Sequence, residues 1–242
     1  DSHTLAVKEP VTEGTQTGDD IAAFEREARR WDRLSDREHV VGVVGWDIDP
    51  SPWMALEYMD GGSLATRVDE CSLHQALWIC ERVANAVRHD QTGMAHLDLK
   101  PANILFEATE DDNWDIPKVA DWGIAQLLNE HSATAGGMTA TYAAPEQFDP
   151  DTYGSPDSKT DIYQLGVVLY ELLVGEPPFT GSDVNVMQSV LNDEPRLPGD
   201  RVTGIPEAVD NTVAKALATE PADRFETMER LQSRLQAHLD EL

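Results

Sequence analysis

The run His96-Leu97-Asp98-Leu99-Lys100-Pro101-Ala102-Asn103 brings a carboxylate, an ammonium and a carboxamide into one short stretch. Asp98 can accept a proton from a hydroxyl. Lys100 can neutralise charge on a phosphoryl group in transfer. Asn103 can offer its amide oxygen to Mg²⁺. A phosphoryl transfer asks a protein for little beyond such positioning and charge stabilisation. A lone Asp in a loop is usually a turn former. Lys100 two residues on and Asn103 five residues on turn the reading towards catalysis.

These groups need a scaffold to hold them. Thr4 to Lys8 reads as a short strand, and the polar residues 11–19 as a loop. An amphipathic helix is expected from Asp19 to about Leu34, with acid at its start to suit the dipole. Val40 to Val44 and Trp53 to Glu57 read as strands, and Asp60-Gly61-Gly62-Ser63 as a turn or linker. Ser72 to about Asp90 has helical periodicity. Ile104 to Phe106 and Pro117 to Ala120 are expected to form a hairpin around a solvated acidic insert, Glu107 to Asp115. Residues 124–143 have weak periodicity and read as a mobile segment. Asp161 to Val174 is apolar almost all round, as in a helix buried on most faces. Gly175-Glu176-Pro177-Pro178 ends it, and helices at 183–191, 207–217 and 224–240 follow. Strands with one helix, then mostly helices, predict an α+β fold of two lobes with a cleft near Asp60 to Ser63.

The catalytic run resembles the catalytic loop of protein kinases, and further motifs follow in that family's order. Asp121-Trp122-Gly123 resembles Asp-Phe-Gly, Ala144-Pro145-Glu146 matches Ala-Pro-Glu, and Asp161-Ile162-Tyr163-Gln164-Leu165-Gly166 resembles the start of the central helix. Arg224 matches the late Arg that pairs with the Ala-Pro-Glu carboxylate. The resemblance covers nearly the whole chain and implies a small β-rich lobe at 1–59 and a helical lobe at 60–242. It implies ATP and Mg²⁺ as cofactors, with Asp98, Lys100, Asn103 and Thr139 at the catalytic centre and Asn103 and Asp121 on the metal. Leu5-Ala6-Val7-Lys8 resembles Val-Ala-Ile-Lys, so Lys8 would hold the α- and β-phosphates and pair with a helix Glu. Glu27 is the better partner and Glu25 the rival, because Glu27 shares a helix face with Phe24 and Trp31. Glu57-Tyr58-Met59 resembles the hinge whose backbone bonds adenine, with Leu56 guarding the back pocket and Ala6 and Leu105 sandwiching the ring; plain core packing remains open for these apolar residues. Trp122, Trp31 and His96 would form a packed spine, which makes His96 structural. Lys100 and Thr139 favour Ser/Thr protein substrates over tyrosine.

Two departures from the family pattern matter. Leu97 stands where the family usually has Arg, which makes activation by phosphorylation at Ser132, Thr134 or Thr139 less expected. No Gly-x-Gly-x-x-Gly precedes Lys8. Either the sequence is a segment of a longer protein with additional domains, or the kinase is degenerate; the retained Lys8, Glu27, Asp98, Asn103 and Asp121 favour the first. A non-catalytic pseudokinase acting as an interaction module, and a small-molecule kinase of the aminoglycoside type, are the alternatives. The Thr139 to Glu146 segment argues against the latter.

Composition bounds the partners. Over 242 residues, Asp+Glu 45 against Lys+Arg 18 gives a formal net charge of -27, which repels nucleic acid and anionic membranes. The acid is dispersed, and Lys8, Lys100, Lys118, Lys159 and Lys215 are the lysines. This pattern resembles proteins of salt-accumulating halophiles, where a Debye length of about 3 Å at molar salt screens the self-repulsion; an ordinary acidic cytosolic domain is the alternative. Cys71 and Cys80 have the spacing of neither a zinc site nor a disulfide scaffold. No membrane insertion within the chain is expected, as no apolar run approaches ~20 residues; the expected setting is cytoplasmic, or that of the cytoplasmic domain of a larger protein.

Overall fold

The computed structural model describes residues 4–10, 17–88, 94–110, 113–122 and 140–242. Its architecture is α+β, a small N-terminal sheet leading into a helical C-terminal region. The sheet holds β1 (Leu5–Lys8), β2 (Val43–Asp47) and β3 (Trp53–Glu57), antiparallel in the order β1-β3-β2. Helix α1 (Gly18–Asp32) packs on it. Thr17 and Asp20 form a reciprocal capping box at its start, and Phe24, Glu27, Ala28 and Trp31 make one buried stripe at three- and four-residue spacing. The helix stops at Asp32, short of Leu34, whose N–H closes an exit turn on the Trp31 carbonyl.

The run Val40 to Val44 is not one strand. Val40 bridges in parallel to Val119, the Val41 N–H donates to the Val119 carbonyl (2.9 Å), and β2 starts only at Val43. An unbroken apolar run carries no alternation to fix where pairing changes sides. Here it ties the sheet to the hairpin of β4 (Ile104–Glu107) and β5 (Ile116–Val119).

The linker after β3 also pairs with that hairpin. Gly61 N–H donates to the Phe106 carbonyl and Phe106 N–H to the Gly62 carbonyl, both at 2.9 Å. A Cβ on Gly61 would lie 2.8 Å from the Phe106 Cβ, so this crossing requires glycine. The ends of the acidic insert are pinned rather than merely solvated. Asp115 pairs with Arg67 (2.8 Å), and Trp114 packs edge-on against His74 and Trp78.

Helix α2 (Leu73–Val87) starts at a Ser72–Gln75 capping box. Two short helices, α3 (Pro145–Phe148) and α4 (Pro150–Tyr153), precede α5 (Ser158–Val174). Every residue of α5 from Thr160 to Tyr170 is buried, and Gly175 ends it at φ +86°. Against it pack α2, α7 (Glu207–Ala216) and α8 (Met228–Asp240), while α6 (Asp183–Asn192) lies against α3. The expected helix start at 224 is wrong, because Arg224 lies in extended backbone where its guanidinium is fully engaged. No helix among the described residues is long and apolar enough to cross a membrane.

Candidate active site

Ala6 and Lys8 lie on one face of β1, two residues apart. From there Lys8 reaches two carboxylates, Glu27 Oε1 and Asp121 Oδ1, each at 2.8 Å. Glu27 is buried on the inner stripe of α1, whereas Glu25 pairs with Arg29 (2.6 Å). Lys8 also sits 5.4 Å from the Trp31 ring. Burial alone would lower its pKa, but the two carboxylates outweigh that and hold it above the usual lysine value. Lys8 is therefore a fixed cation at neutral pH.

Asp121 follows β5 and adopts φ +62°, a left-handed conformation that Asp tolerates better than most residues. Trp122 is buried beside it and meets the His96 ring edge-on, centroids 4.9 Å apart. His96 is 1% exposed, with Nε2 bonded to the Ala120 carbonyl (2.8 Å) and Nδ1 accepting from the Asp98 N–H (3.3 Å). Its ring is fully used in holding the Asp98 loop against the Asp121 segment, so it is structural here.

Asp98, Lys100 and Asn103 converge. Lys100 Nζ lies 2.8 Å from Asp98 Oδ2 and 3.1 Å from Oδ1. Asn103 Nδ2 donates to the Asp98 carbonyl (2.8 Å) and to Oδ2 (3.0 Å). These two bonds fix the Asn103 amide with its nitrogen towards Asp98. The Asn103 backbone carbonyl accepts from Ala120 N–H (2.9 Å), which joins this loop to the segment carrying Asp121. Among the described residues no group of three or more His, Cys, Asp and Glu could hold a metal ion. An Asn–Asp pair suits Mg²⁺ only where phosphate and water complete the octahedron, as in sites that bind the metal with a nucleotide.

The remaining expected residues flank this centre. Ala6 lies opposite Leu56 in the sheet register, and Leu105 bridges to Ser63 at the end of the linker. Met59 is buried and Tyr58 exposed. The Glu57 carboxylate accepts from the Gly42 N–H (2.8 Å) and from Lys118 (3.0 Å), and its backbone N–H donates to the Gly42 carbonyl (3.0 Å), so the side chain and the N–H are both committed within the protein. Thr139, with Ser132 and Thr134, lies outside the described residues.

Sequence reasoning missed four residues that set this geometry. Lys118 holds Glu57. Asp161 accepts from the His96 (2.9 Å) and Leu97 (2.7 Å) N–H groups, Gln164 accepts from the Leu99 N–H (2.8 Å), and Gln147 donates to the Leu97 carbonyl (3.0 Å). A signal existed for two of them. Asp161 and Gln164 are polar residues in a helix apolar nearly all round, and buried polar groups require partners. Arg224 makes a bidentate pair to Glu146 at 2.7 and 2.8 Å.

Residues 1–235 match the protein kinase domain family. Serine/threonine-protein kinase PknB of Mycobacterium leprae (strain TN) is 36% identical over 225 residues, 88% of this chain and 35% of that protein. PknB of Mycobacterium tuberculosis (strain ATCC 25618 / H37Rv) is 37% identical over 196 residues, and PknJ of the same organism 34% over 182, each with 30% of the relative covered. The chain thus spans about a third of the length of these relatives. On the match along nearly its whole length, and with the Lys8–Glu27 and Glu146–Arg224 pairs in place, the chain belongs to the protein kinase family.

Proposed function

We propose that this chain is the catalytic domain of an ATP- and Mg²⁺-dependent serine/threonine protein kinase. The observation that carries the proposal is the convergence on Lys8 of two carboxylates, from positions 19 and 113 residues away, beside the Asp98–Lys100–Asn103 cluster. The small-lobe residues 1–59 and the helical residues 60–242 form the two walls of the nucleotide cleft. Lys8 binds the α- and β-phosphates and Glu27 orients it. The backbone of Glu57 and Met59 takes the adenine edge, with Ala6 and Leu105 against its faces. Asn103 and Asp121 would hold Mg²⁺, which would supply charge neutralisation to the phosphates.

In the transfer, a substrate Ser or Thr hydroxyl oxygen forms a bond to the γ-phosphorus while the bond to the β-phosphate oxygen breaks. Asp98 orients that hydroxyl and takes its proton, and ADP leaves with the electron pair. Lys100, already in contact with Asp98, stabilises the negative charge on the phosphoryl group in flight. Thr139 would complete the contact to Asp98 and Lys100. Protein substrates, a cytoplasmic setting for the domain and further domains in the protein accord with this reading. The relatives are named serine/threonine-protein kinases and are about three times as long as the stretch they share.

The test is nucleotide binding in the intact protein with and without Mg²⁺, wild type against Asp121→Ala. Mg²⁺ should tighten ATP binding in the wild type and lose that effect in the variant. An unchanged Mg²⁺ effect would show that the metal is held elsewhere, and no ATP binding by the wild type would favour a pseudokinase.

A further inference from the structure

The backbone on both sides of Asp98 is held by side chains from outside its own loop. Asp161 takes the N–H groups of His96 and Leu97. One turn along α5, Gln164 accepts from the Leu99 N–H (2.8 Å) and donates to the Leu97 carbonyl (3.1 Å). Leu97 and Leu99 are the immediate neighbours of Asp98, so this single amide closes a clasp around it. A second amide completes the clasp. Gln147 in α3 donates to the same Leu97 carbonyl (3.0 Å), and its oxygen accepts from Gln164 Nε2 (3.0 Å) and from the Ala144 N–H (3.0 Å).

The clasp encloses a strained residue. Leu97 sits at φ +65°, a conformation leucine rarely adopts and one that persists only where its surroundings over-determine it. Its N–H is taken by Asp161 and its carbonyl by both amides. Relaxation of this residue would swing the peptide that carries Asp98 and so move the carboxylate relative to Lys100 and Asn103. The chemistry of the clasp calls for amides. Each of Gln147 and Gln164 must donate and accept at once over a side chain's length, which a carboxylate cannot do and a hydroxyl cannot reach. Gln164 is 2% exposed, so an apolar residue there would strand the Leu99 N–H without water to replace it.

We infer that Gln147 and Gln164 are positioning residues: a two-amide clasp that fixes the backbone around Asp98 and couples it to the end of the segment at Ala144. The inference rests on the assignment of Asp98 as the base. It implies that the catalytic loop takes its working conformation through the contacts of Asp161, Gln164 and Gln147 from α5 and α3, which require no phosphate.

The test is steady-state kinetics on the intact protein carrying Gln164→Leu, Gln147→Leu or both, with ATP and peptide KM measured separately and folding checked by thermal unfolding. Each single variant should lower kcat tenfold or more while the ATP KM stays within about twofold, because Lys8 and the hinge are untouched. The double variant should cost little more than the worse single one, since the two amides act as one unit. A folded Gln164→Leu protein with wild-type kcat would overturn the inference, as would kcat losses that simply track the folded fraction. If Gln164→Leu does not fold, Gln147→Leu, whose side chain is only half-buried, decides by the same criteria. An inactive wild type would instead count against the kinase reading, so the two failures are distinguishable.

Discussion

Arg224→Met is a perturbation whose size can be worked from contacts. The Arg224 side chain is 0% exposed and Glu146 is 1% exposed. The guanidinium donates to both Glu146 oxygens at 2.7 and 2.8 Å and to the carbonyls of Ala218 (2.8 Å), Lys159 (2.9 Å) and Thr219 (3.2 Å). Its removal leaves Glu146 with the Thr160 hydroxyl at 2.7 Å and takes a donor from three carbonyls. Breaking one side of a buried ion pair costs about 3–5 kcal/mol. That is a large part of the roughly 5–15 kcal/mol that holds a domain together. For a domain of this size the unfolding midpoint should fall by roughly 6–20 °C. Replacing both partners, Glu146→Leu with Arg224→Met, removes the orphaned charge and should recover much of the loss. Thermal unfolding followed by fluorescence of the buried Trp31 and Trp122 reads the effect. A loss below about 1 kcal/mol in the single variant, or a double variant as unstable as the two singles combined, would refute the reasoning.

The same pair sets an acid limb. Burial works to raise the Glu146 pKa, but the Arg224 and Thr160 contacts outweigh it and hold the carboxyl below its ordinary 4.5. A depressed carboxyl contributes stability above the unfolded value, and that stability is lost as pH falls through the folded one. The wild type should therefore lose stability below about pH 4.5 more steeply than the Glu146→Leu/Arg224→Met protein; parallel acid curves would contradict this. Gly61→Ala should destabilise by about 1–3 kcal/mol, because the new Cβ meets the Phe106 Cβ at 2.8 Å and its carbonyl oxygen at 2.9 Å; an unchanged urea midpoint would show that the linker can shift. Lys118→Met releases Glu57 beside the proposed hinge. It should raise the ATP KM by roughly 1.5- to 5-fold with kcat unchanged, the range of a part-exposed ion pair; a fall in kcat alone would contradict that. If the charge of -27 reflects adaptation to salt, the unfolding midpoint should climb steadily between 0.1 and 2 M potassium chloride, and a flat or falling midpoint would place the chain among ordinary acidic domains.

The pairs nearest the chemistry were legible because each rests on a residue type that has few other uses in its setting. Glu27 was preferred to Glu25 by its helix face, and it is Glu27 that reaches Lys8 while Glu25 pairs with Arg29. The stretch Asp161 to Val174, apolar almost all round, read as a buried helix and is one. Legibility failed where a backbone decision depends on distant partners. Val40 and Val41 look like the start of β2, yet Val119 claims them from β5. Leu97 gives no sign in the sequence of its left-handed backbone, because the groups that impose it, Asp161, Gln164 and Gln147, lie 50 to 67 residues away. Lys118 read as an ordinary strand residue, and its bond to Glu57 exists only once the hairpin folds under the linker. All five lysines turn out to be employed. Lys8, Lys100 and Lys118 sit in or beside the cleft, Lys159 donates to the Phe225 carbonyl, and Lys215 lies over the Phe225 ring. In so acidic a chain, cations are kept where a carboxylate, carbonyl or ring needs one.

The central claim is that Asp98 receives the proton of a Ser or Thr hydroxyl during transfer of the ATP γ-phosphate. Its most direct test is transfer of label from γ-labelled ATP with Mg²⁺, at high potassium chloride, by the intact wild-type protein and by Asp98→Asn, with ATP affinity measured on both. The account predicts label on Ser or Thr in the wild type, and in the variant a rate lower by about 10²–10⁴-fold at unchanged ATP affinity. Near-wild-type transfer by Asp98→Asn would contradict it.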